Sequence, residues 1–188
     1  MKVTGLLMEE HRHILRALDV MERMAARTAE GEQVDQNDLE SVLSFLRFFA
    51  DDHHQSKEES LLFPALLKAS KDEEHACLCK MTFEHNQQRS LVEGIEDSLR
   101  TRKGSDFVYY AQRLSDIMRD HIQEEDNVLF KHADSLLTPE EDERIARQIG
   151  NFDSPGRKRA LILVLERLML LELKYNAAVS VRETAMHA

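Results

Sequence analysis

Two segments of the chain carry the same arrangement of histidine and acid: HQSKEESLLF, from His54 to Phe63, and HIQEEDNVLF, from His121 to Phe130. Both read H-x-x-x-E-[ED]-x-[LV]-L-F. On an α-helix, residues four apart share a face and are separated by about 6 Å along the axis, so each histidine and its glutamate can reach the same ions. An E-H pair also recurs, at Glu10-His11 and at Glu84-His85. Imidazole nitrogens and carboxylate oxygens in fixed register are the donors of a divalent transition-metal site.

The apolar pattern around each histidine indicates which of them face inward. His11 shares a stripe with Leu7, Ile14, Leu15, Leu18 and Ala25, whereas His13 has Glu9, Glu10 and Arg16 as neighbours and is expected to face water. The stripe Leu39, Leu43, Leu46, Ala50 continues into His54 and Glu58, then Leu61 and Leu62. His53 has Lys57 at i+4, a cation that repels a metal. His85 lies with Leu78, Met81, Val92, Ile95 and Leu99; His121 and Glu125 lie with Phe107, Tyr110, Leu114, Ile117 and Val128. Four histidines and two glutamates therefore point into one interior. Burying such groups as unpartnered ions costs several kcal/mol each, on the order of a domain's whole stability margin when taken together. A single inward histidine is ordinarily a satisfied core residue, and direct His–Glu ion pairs are the structural alternative. Six such groups on four helices point instead to metal.

Two divalent ions suit this inventory, each taking two imidazoles, with both carboxylates bridging and positions left open for a small ligand. Mixed nitrogen and oxygen donors favour iron over calcium or magnesium, and the lack of thiolates argues against a closed structural zinc site; zinc or manganese could compete. The acid on the fourth helix is open between Glu125 at i+4 and Asp126 at i+5, with Glu125 favoured because it mirrors Glu58. Glu59, Glu84, Glu124 and Asp126 are candidates to orient the imidazoles, although solvated faces are the expectation for most of them. Arg89 is a candidate to gate or hydrogen-bond a ligand, against the more usual salt-bridged arginine. His132 lies about 16 Å along the axis from His121, too far to share its ions.

The elements that must hold these residues are helices. Only six glycines and three prolines punctuate the chain, and Leu, Glu, Arg, Ala and Met recur with helical period. The predicted helices span about 3–29, ending at Gly31; 38–70, bent or ended by Pro64; 73–102, stopping at Gly104; and 106–137. Short connections make these an all-α, up-down-up-down four-helix bundle. A fifth helix starts at TPEEDERI, with Thr138 as N-cap, Pro139 at its first position and Glu141 completing a capping box, and it stops at Gly150. A sixth spans about 157–175. The histidine motif repeats at an offset of 67 residues, from His54 to His121, and the E-H pair at 74, from Glu10 to Glu84, so helices one and two resemble three and four and present two similar half-sites. Residues 1–137 are expected to form the metal-binding bundle, and 138–188 an extension that packs on it or at an oligomer interface. Helix six is apolar nearly all round, which suggests a homodimer through that helix.

The 188 residues suggest one domain, and 42% hydrophobic content supports a core. The net charge of −10 and the absence of a basic run argue against nucleic acid. The N-terminal residues show no apolar leader stretch, and the longest apolar run, 160–173, is interrupted by Glu166, Arg167 and Glu172, so no membrane span is expected. Cys77 and Cys79, two apart on a helix, are poorly placed to pair, in keeping with a cytoplasmic protein.

Over roughly residues 4–135, the succession E-H, H-x-x-x-E-E-x-x-L-F-P, E-H and H-x-x-x-E-[ED]-x-x-L-F resembles the hemerythrin-like, or HHE cation-binding, family. The resemblance implies a four-helix bundle around a non-haem di-iron centre, with His11, His54, Glu58, His85, His121 and Glu125 as ligands and helices five and six as a C-terminal extension. Oxygen-carrying members have a further histidine where this chain has Arg89, and H-x-x-x-x-D on the fourth helix. The set of four histidines and two glutamates is more similar to that of di-iron proteins that repair damaged iron centres under nitrosative or oxidative stress, which commonly carry an N-terminal cysteine-containing domain not found among these residues. The implied function is binding or reduction of dioxygen, peroxide or nitric oxide; a non-catalytic sensor, carrier or iron store is the alternative.

Overall fold

A computed structural model describes residues 2–70 and 73–186, with side chains within 2–70 and 76–176. Among these residues every regular element is helical. Helix α1, Val3–Ala29, is tied down at its start by Val3 N donating to Asp142 Oδ1 at 3.0 Å and by Thr4 Oγ1 donating to Asp134 at 2.8 Å. It ends at Gly31, whose φ of +81° reverses the chain at no steric cost. Asp35 then caps α2 by accepting from the backbone of Asn37. Helix α2 runs over 36–69 and α3 over Glu73–Arg100. Helix α4 covers 104–136, α5 Pro139–Gly150 and α6 Pro155–Met186. Helix α5 opens with the expected capping box between Thr138 and Glu141.

Helices α1 to α4 form the expected bundle, each packing on the next and α4 on α1. The core is split in two. One cluster holds Ile14 and Leu18 from α1, Leu46 and Ala50 from α2, Ile95 from α3, and Leu114 and Met118 from α4. The other gathers Leu7, Leu62, Phe63, Met81, Leu129 and Phe130. Five of the six predicted metal ligands fall in sequence between the two clusters, and His121 directly precedes Ile122 of the first, so the polar residues form a layer sandwiched between apolar ones. The extension extends both clusters: Ile145 and Ile149 of α5 join the second, and Leu161, Leu168, Leu171 and Tyr175 of α6 join the first.

Three local departures from the sequence reading have physical causes. Helix α2 is π-helical over Leu46–Gln55 and Glu58–Leu62, and α4 over Glu125–Leu129. The inward positions 46, 50, 54, 58 and 62 recur every four residues, a spacing that an α-helix of 3.6 residues per turn would rotate off one face; the wider π turns keep them aligned. The π turn in α4 also moves the register by one position, so Leu129 is buried and Val128, expected inward, is 58% exposed. Pro64 neither ends nor sharply breaks α2; it starts the α-helical stretch Phe63–Ala69 directly after a π turn, where its missing N–H costs little. At the α3–α4 corner, Arg102 takes the left-handed conformation with φ of 55°, and Gly104, expected to be the stop, begins the next helix.

Helix α6 is longer than predicted. Leu161, Leu168 and Leu171 cover the bundle, while Ile162, Leu163, Met169, Leu170 and Leu173 are each more than half exposed, so α5 does not cover that face. The helix is fixed by Arg16 on Glu172 at 2.7 Å and by Tyr175 Oη donating to Asp38 at 2.8 Å. No described helix is long and apolar enough to cross a membrane.

Candidate metal centre

One donor set comes from each helix: His11 from α1, His54 and Glu58 from α2, His85 from α3, His121 and Glu125 from α4. All six are buried, and both glutamates have no solvent exposure at all. Their reactive atoms converge. His54 Nε2 lies 3.4 Å from Glu58 Oε1, and His85 Nε2 lies 3.5 Å from Glu58 Oε2. Symmetrically, His11 Nε2 lies 3.2 Å from Glu125 Oε2, and His121 Nε2 lies 3.4 Å from Glu125 Oε1. Each carboxylate thus turns one oxygen toward an imidazole of the α1–α2 half and the other toward one of the α3–α4 half. Two groups of donors, His11, His54, Glu58 and Glu125 on one side and His85, His121 and Glu125 on the other, each lie within 4.8 Å of one another.

The Nδ1 atoms point outward, and each meets an acid from the preceding helix around the bundle. Glu10 of α1 receives His54 at 3.0 Å, and Glu59 of α2 receives His85 at 2.7 Å. Glu84 of α3 receives His121 at 2.8 Å, and Asp126 of α4 receives His11 at 2.7 Å, closing the ring. Each acid is the chain neighbour of a predicted ligand. A step of one residue turns about 100° around a helix, which carries the acid from the interior toward the adjacent helix. Nδ1–H donated to a carboxylate fixes the tautomer that leaves the Nε2 lone pair facing inward. This corrects the expectation that most of these acids are solvated: Glu59, Glu84 and Asp126 all orient imidazoles, and of the four candidates only Glu124 does not, pairing instead with Lys80. It also separates the neighbouring acids on α4, since Glu125 faces the centre and Asp126 backs His11.

Glu10 and Lys57 are the residues that the sequence reading missed. Lys57 is almost fully buried, with Nζ bound to Glu10 and 2.8 Å from His53 Nε2. Cations stand behind three of the four backing acids: Lys57 on Glu10, Arg89 on Glu59 at 2.8 Å, and Lys80 near Glu84 at 3.6 Å. Arg89 also bonds Asp51 at 2.7 Å, so it is held in a salt-bridge network. His13 and His53 both lie outside the converging set, as expected.

The innermost groups are left without partners. All four oxygens of Glu58 and Glu125, together with His11 Nε2, are buried with no hydrogen bond. Burial, reinforced by the charge of Glu125, pushes the Glu58 carboxyl well above the usual range, while Glu125 is held low because His121 and His11 outweigh its burial. His11, although burial opposes its charge, is raised to about 9 by Asp126 and Glu125; His54 is lowered to about 4 by burial and by the charge of His11; burial also lowers His85. The donor set therefore suits a metal: among the described residues no aligned hydrogen bond reaches the four carboxylate oxygens, and the inward Nε2 atoms stand 3.2–3.5 Å from them.

The family model described as hemerythrin HHE cation binding domain matches residues 2–133. The chain belongs to the hemerythrin HHE cation-binding family. The match spans α1 to α3 and nearly all of α4, and therefore every residue of the converging set, and it identifies the domain as one of a cation-binding kind. The extension that carries α5 and α6 lies outside it. No curated protein and no solved structure matches the chain.

Proposed function

We propose that this HHE protein is a non-haem di-iron protein that binds or reduces a small oxidant, namely dioxygen, peroxide or nitric oxide, in a response to oxidative or nitrosative stress or in iron-centre repair. The observation that carries the reading is the pair of fully buried glutamates whose four oxygens lack any hydrogen-bond donor, set among four imidazoles with inward Nε2. His11 and His54 would hold one ion and His85 and His121 the other, with Glu58 and Glu125 bridging. Iron at such a site supplies one-electron redox chemistry and open positions for a small ligand. Zinc and manganese compete for the same donors.

The protein's own part follows from its geometry. The ring of acids holds the imidazoles with Nε2 turned inward, and the two apolar clusters exclude water from both ends of the layer. Between α2 and α3, a cavity of about 410 Å³ is lined by Gln55, Gln88 and Arg89. Gln55 follows His54 in the chain and Gln88 lies three residues after His85, so this opening lies beside the layer of predicted ligands and is large enough to admit a small oxidant. A non-catalytic sensor or carrier is the second reading, favoured by the uncovered apolar face of α6.

Iron-reconstituted protein, reduced and mixed with dioxygen, peroxide or nitric oxide in a stopped-flow spectrophotometer, tests the assignment. Sustained consumption of one oxidant supports turnover, and stoichiometric binding supports the carrier or sensor. No spectral response to any of the three would sink both.

A further inference from the structure

We infer that Asp153, in the loop between α5 and α6, is a positioning residue for the His54 side of the centre, so that the C-terminal extension helps to build the metal site. The inference rests on the metal reading above.

Asp153 lies beyond the matched residues 2–133, yet it is buried and reaches the site through a chain of contacts. Its Oδ2 lies 2.6 Å from His53 Nδ1, at ion-pair distance and without the alignment of a hydrogen bond, and Asp153 supplies the acid on that side of the ring. On the other side of that ring, His53 Nε2 lies 2.8 Å from Lys57 Nζ and 3.2 Å from Glu10 Oε1. Lys57 also binds Glu10 Oε1, and Glu10 Oε2 receives His54 Nδ1 at 3.0 Å. With the His53 proton on Nδ1, every one of these contacts has a donor and an acceptor except the 3.2 Å approach of His53 Nε2 to Glu10 Oε1, and Lys57, which reaches both of those atoms, stands between them. His53 carries its proton on Nδ1 toward Asp153, leaving Nε2 to accept from Lys57; Lys57 donates to both His53 and Glu10; and Glu10 accepts from His54 Nδ1–H. Asp153 thereby selects the His53 tautomer that locks Lys57 on Glu10, and Glu10 selects the His54 tautomer that presents Nε2 inward. Had His53 carried its proton on Nε2, Lys57 would face a donor and Asp153 a bare lone pair.

The loop is built to hold Asp153 in place. Arg157 Nε lies 2.7 Å from Asp153 Oδ1, and its guanidinium sits over the Phe48 ring at 4.8 Å. Ser154 Oγ accepts from the backbone of Arg157, and Lys158 donates to Gly150 O. The other three backing acids have no such support: Glu59, Glu84 and Asp126 receive their imidazoles with no hydrogen bond or ion pair to α5, α6 or the loop between them among the described residues. The extension thus reinforces one corner of a ring that is otherwise fourfold.

Cobalt(II) titration of metal-free full-length protein, followed by visible absorption, tests this. Wild type fills two sites. Asp153→Ala weakens one of them by about tenfold and alters its absorption band, the lower end of the effect of removing a group that orients a ligand. Asp153→Asn, which keeps a carbonyl to accept from His53 Nδ1–H, restores most of the affinity. Arg157→Gln, which removes the ion pair that steadies Asp153 but keeps its carboxylate beside His53, loses less than Asp153→Ala. His53→Phe, which leaves the Asp153–Arg157 pair intact, shows the same loss as Asp153→Ala and keeps the test independent of loop folding. Equal affinity and spectra for wild type, Asp153→Ala and His53→Phe overturn this inference alone, as does a loss in Arg157→Gln matching that of Asp153→Ala. Wild type that takes up no cobalt overturns the metal reading and this inference with it.

Discussion

Replacing Glu58 with methionine should move stability in opposite directions in the metal-free and metal-loaded protein. Both Glu58 oxygens are buried and accept no hydrogen bond. A buried polar group left unsatisfied costs about 1–3 kcal/mol. Methionine has a similar length and no charge to desolvate, so Glu58→Met should stabilise the metal-free fold by that amount. For a chain of this size, about 2–4 °C of melting temperature accompanies each kcal/mol, so the gain should be on the order of 5 °C. With metal the order reverses. A ligand that binds only the folded state at a hundred times its Kd adds about 2.7 kcal/mol per site; the wild type gains this at both sites, while the variant has lost its bridge. Thermal melts of wild type and Glu58→Met, each with chelator and with ferrous or cobaltous ion, read both signs. A metal-free variant less stable than metal-free wild type would refute the reasoning, because Glu58 would then hold favourable contacts of its own.

The metal-free protein should lose stability between pH 6.5 and pH 9. The pKa of His11 is raised from its ordinary 6.5 to about 9, so the contribution of its contacts with Asp126 and Glu125 is complete below pH 6.5 and lost as the pH rises through 9, about 3 kcal/mol in all. In the metal-loaded protein His11 is neutral throughout and the loss should vanish; melts at both pH values, with and without chelator, check this. Gly94→Ala should destabilise, because its Cβ would sit 2.7 Å from two ring atoms of Tyr110; overpacking costs about 1–3 kcal/mol and outweighs a helix-propensity gain of about 1 kcal/mol. Urea denaturation should show the loss and its relief when Tyr110 is also made leucine. Gln55 and Gln88 are buried partners, each with one unsatisfied atom; Gln88→Leu alone should cost about 1–3 kcal/mol, whereas the double leucine variant should lie near wild type. A homodimer through the exposed face of α6 is expected, and sedimentation giving a single-chain mass at micromolar concentration would contradict it.

The bundle and the converging set were legible because they rest on short-range periodicity. Inward stripes name His11, His54, Glu58, His85, His121 and Glu125 without any knowledge of how the helices pack. What escaped depends on packing. Helical spacing is blind to π turns, so Val128 was read as inward although the turn over Glu125–Leu129 brings Leu129 inward instead. The backing acids left a signal that single-helix reasoning could not interpret. Each of the four sites has an acid beside a ligand, as EH, EE, EH and ED, but its partner lies on the next helix. Glu10 and Lys57 were hidden for the same reason: Lys57 reads as a cation that disqualifies His53, and only the approach of α1 shows it neutralising Glu10. Asp153 left no signal at all, because a loop acid 28 residues from the nearest predicted ligand, Glu125, is unremarkable until the chain folds back.

Diffraction from crystals of iron-loaded protein, collected on both sides of the iron absorption edge, tests the central claim most directly. The account predicts two anomalous peaks within the bundle, one about 2.0–2.3 Å from Nε2 of His11 and His54 and the other at the same distance from Nε2 of His85 and His121. It is contradicted if the map shows no peak there and the six side chains simply pack against one another.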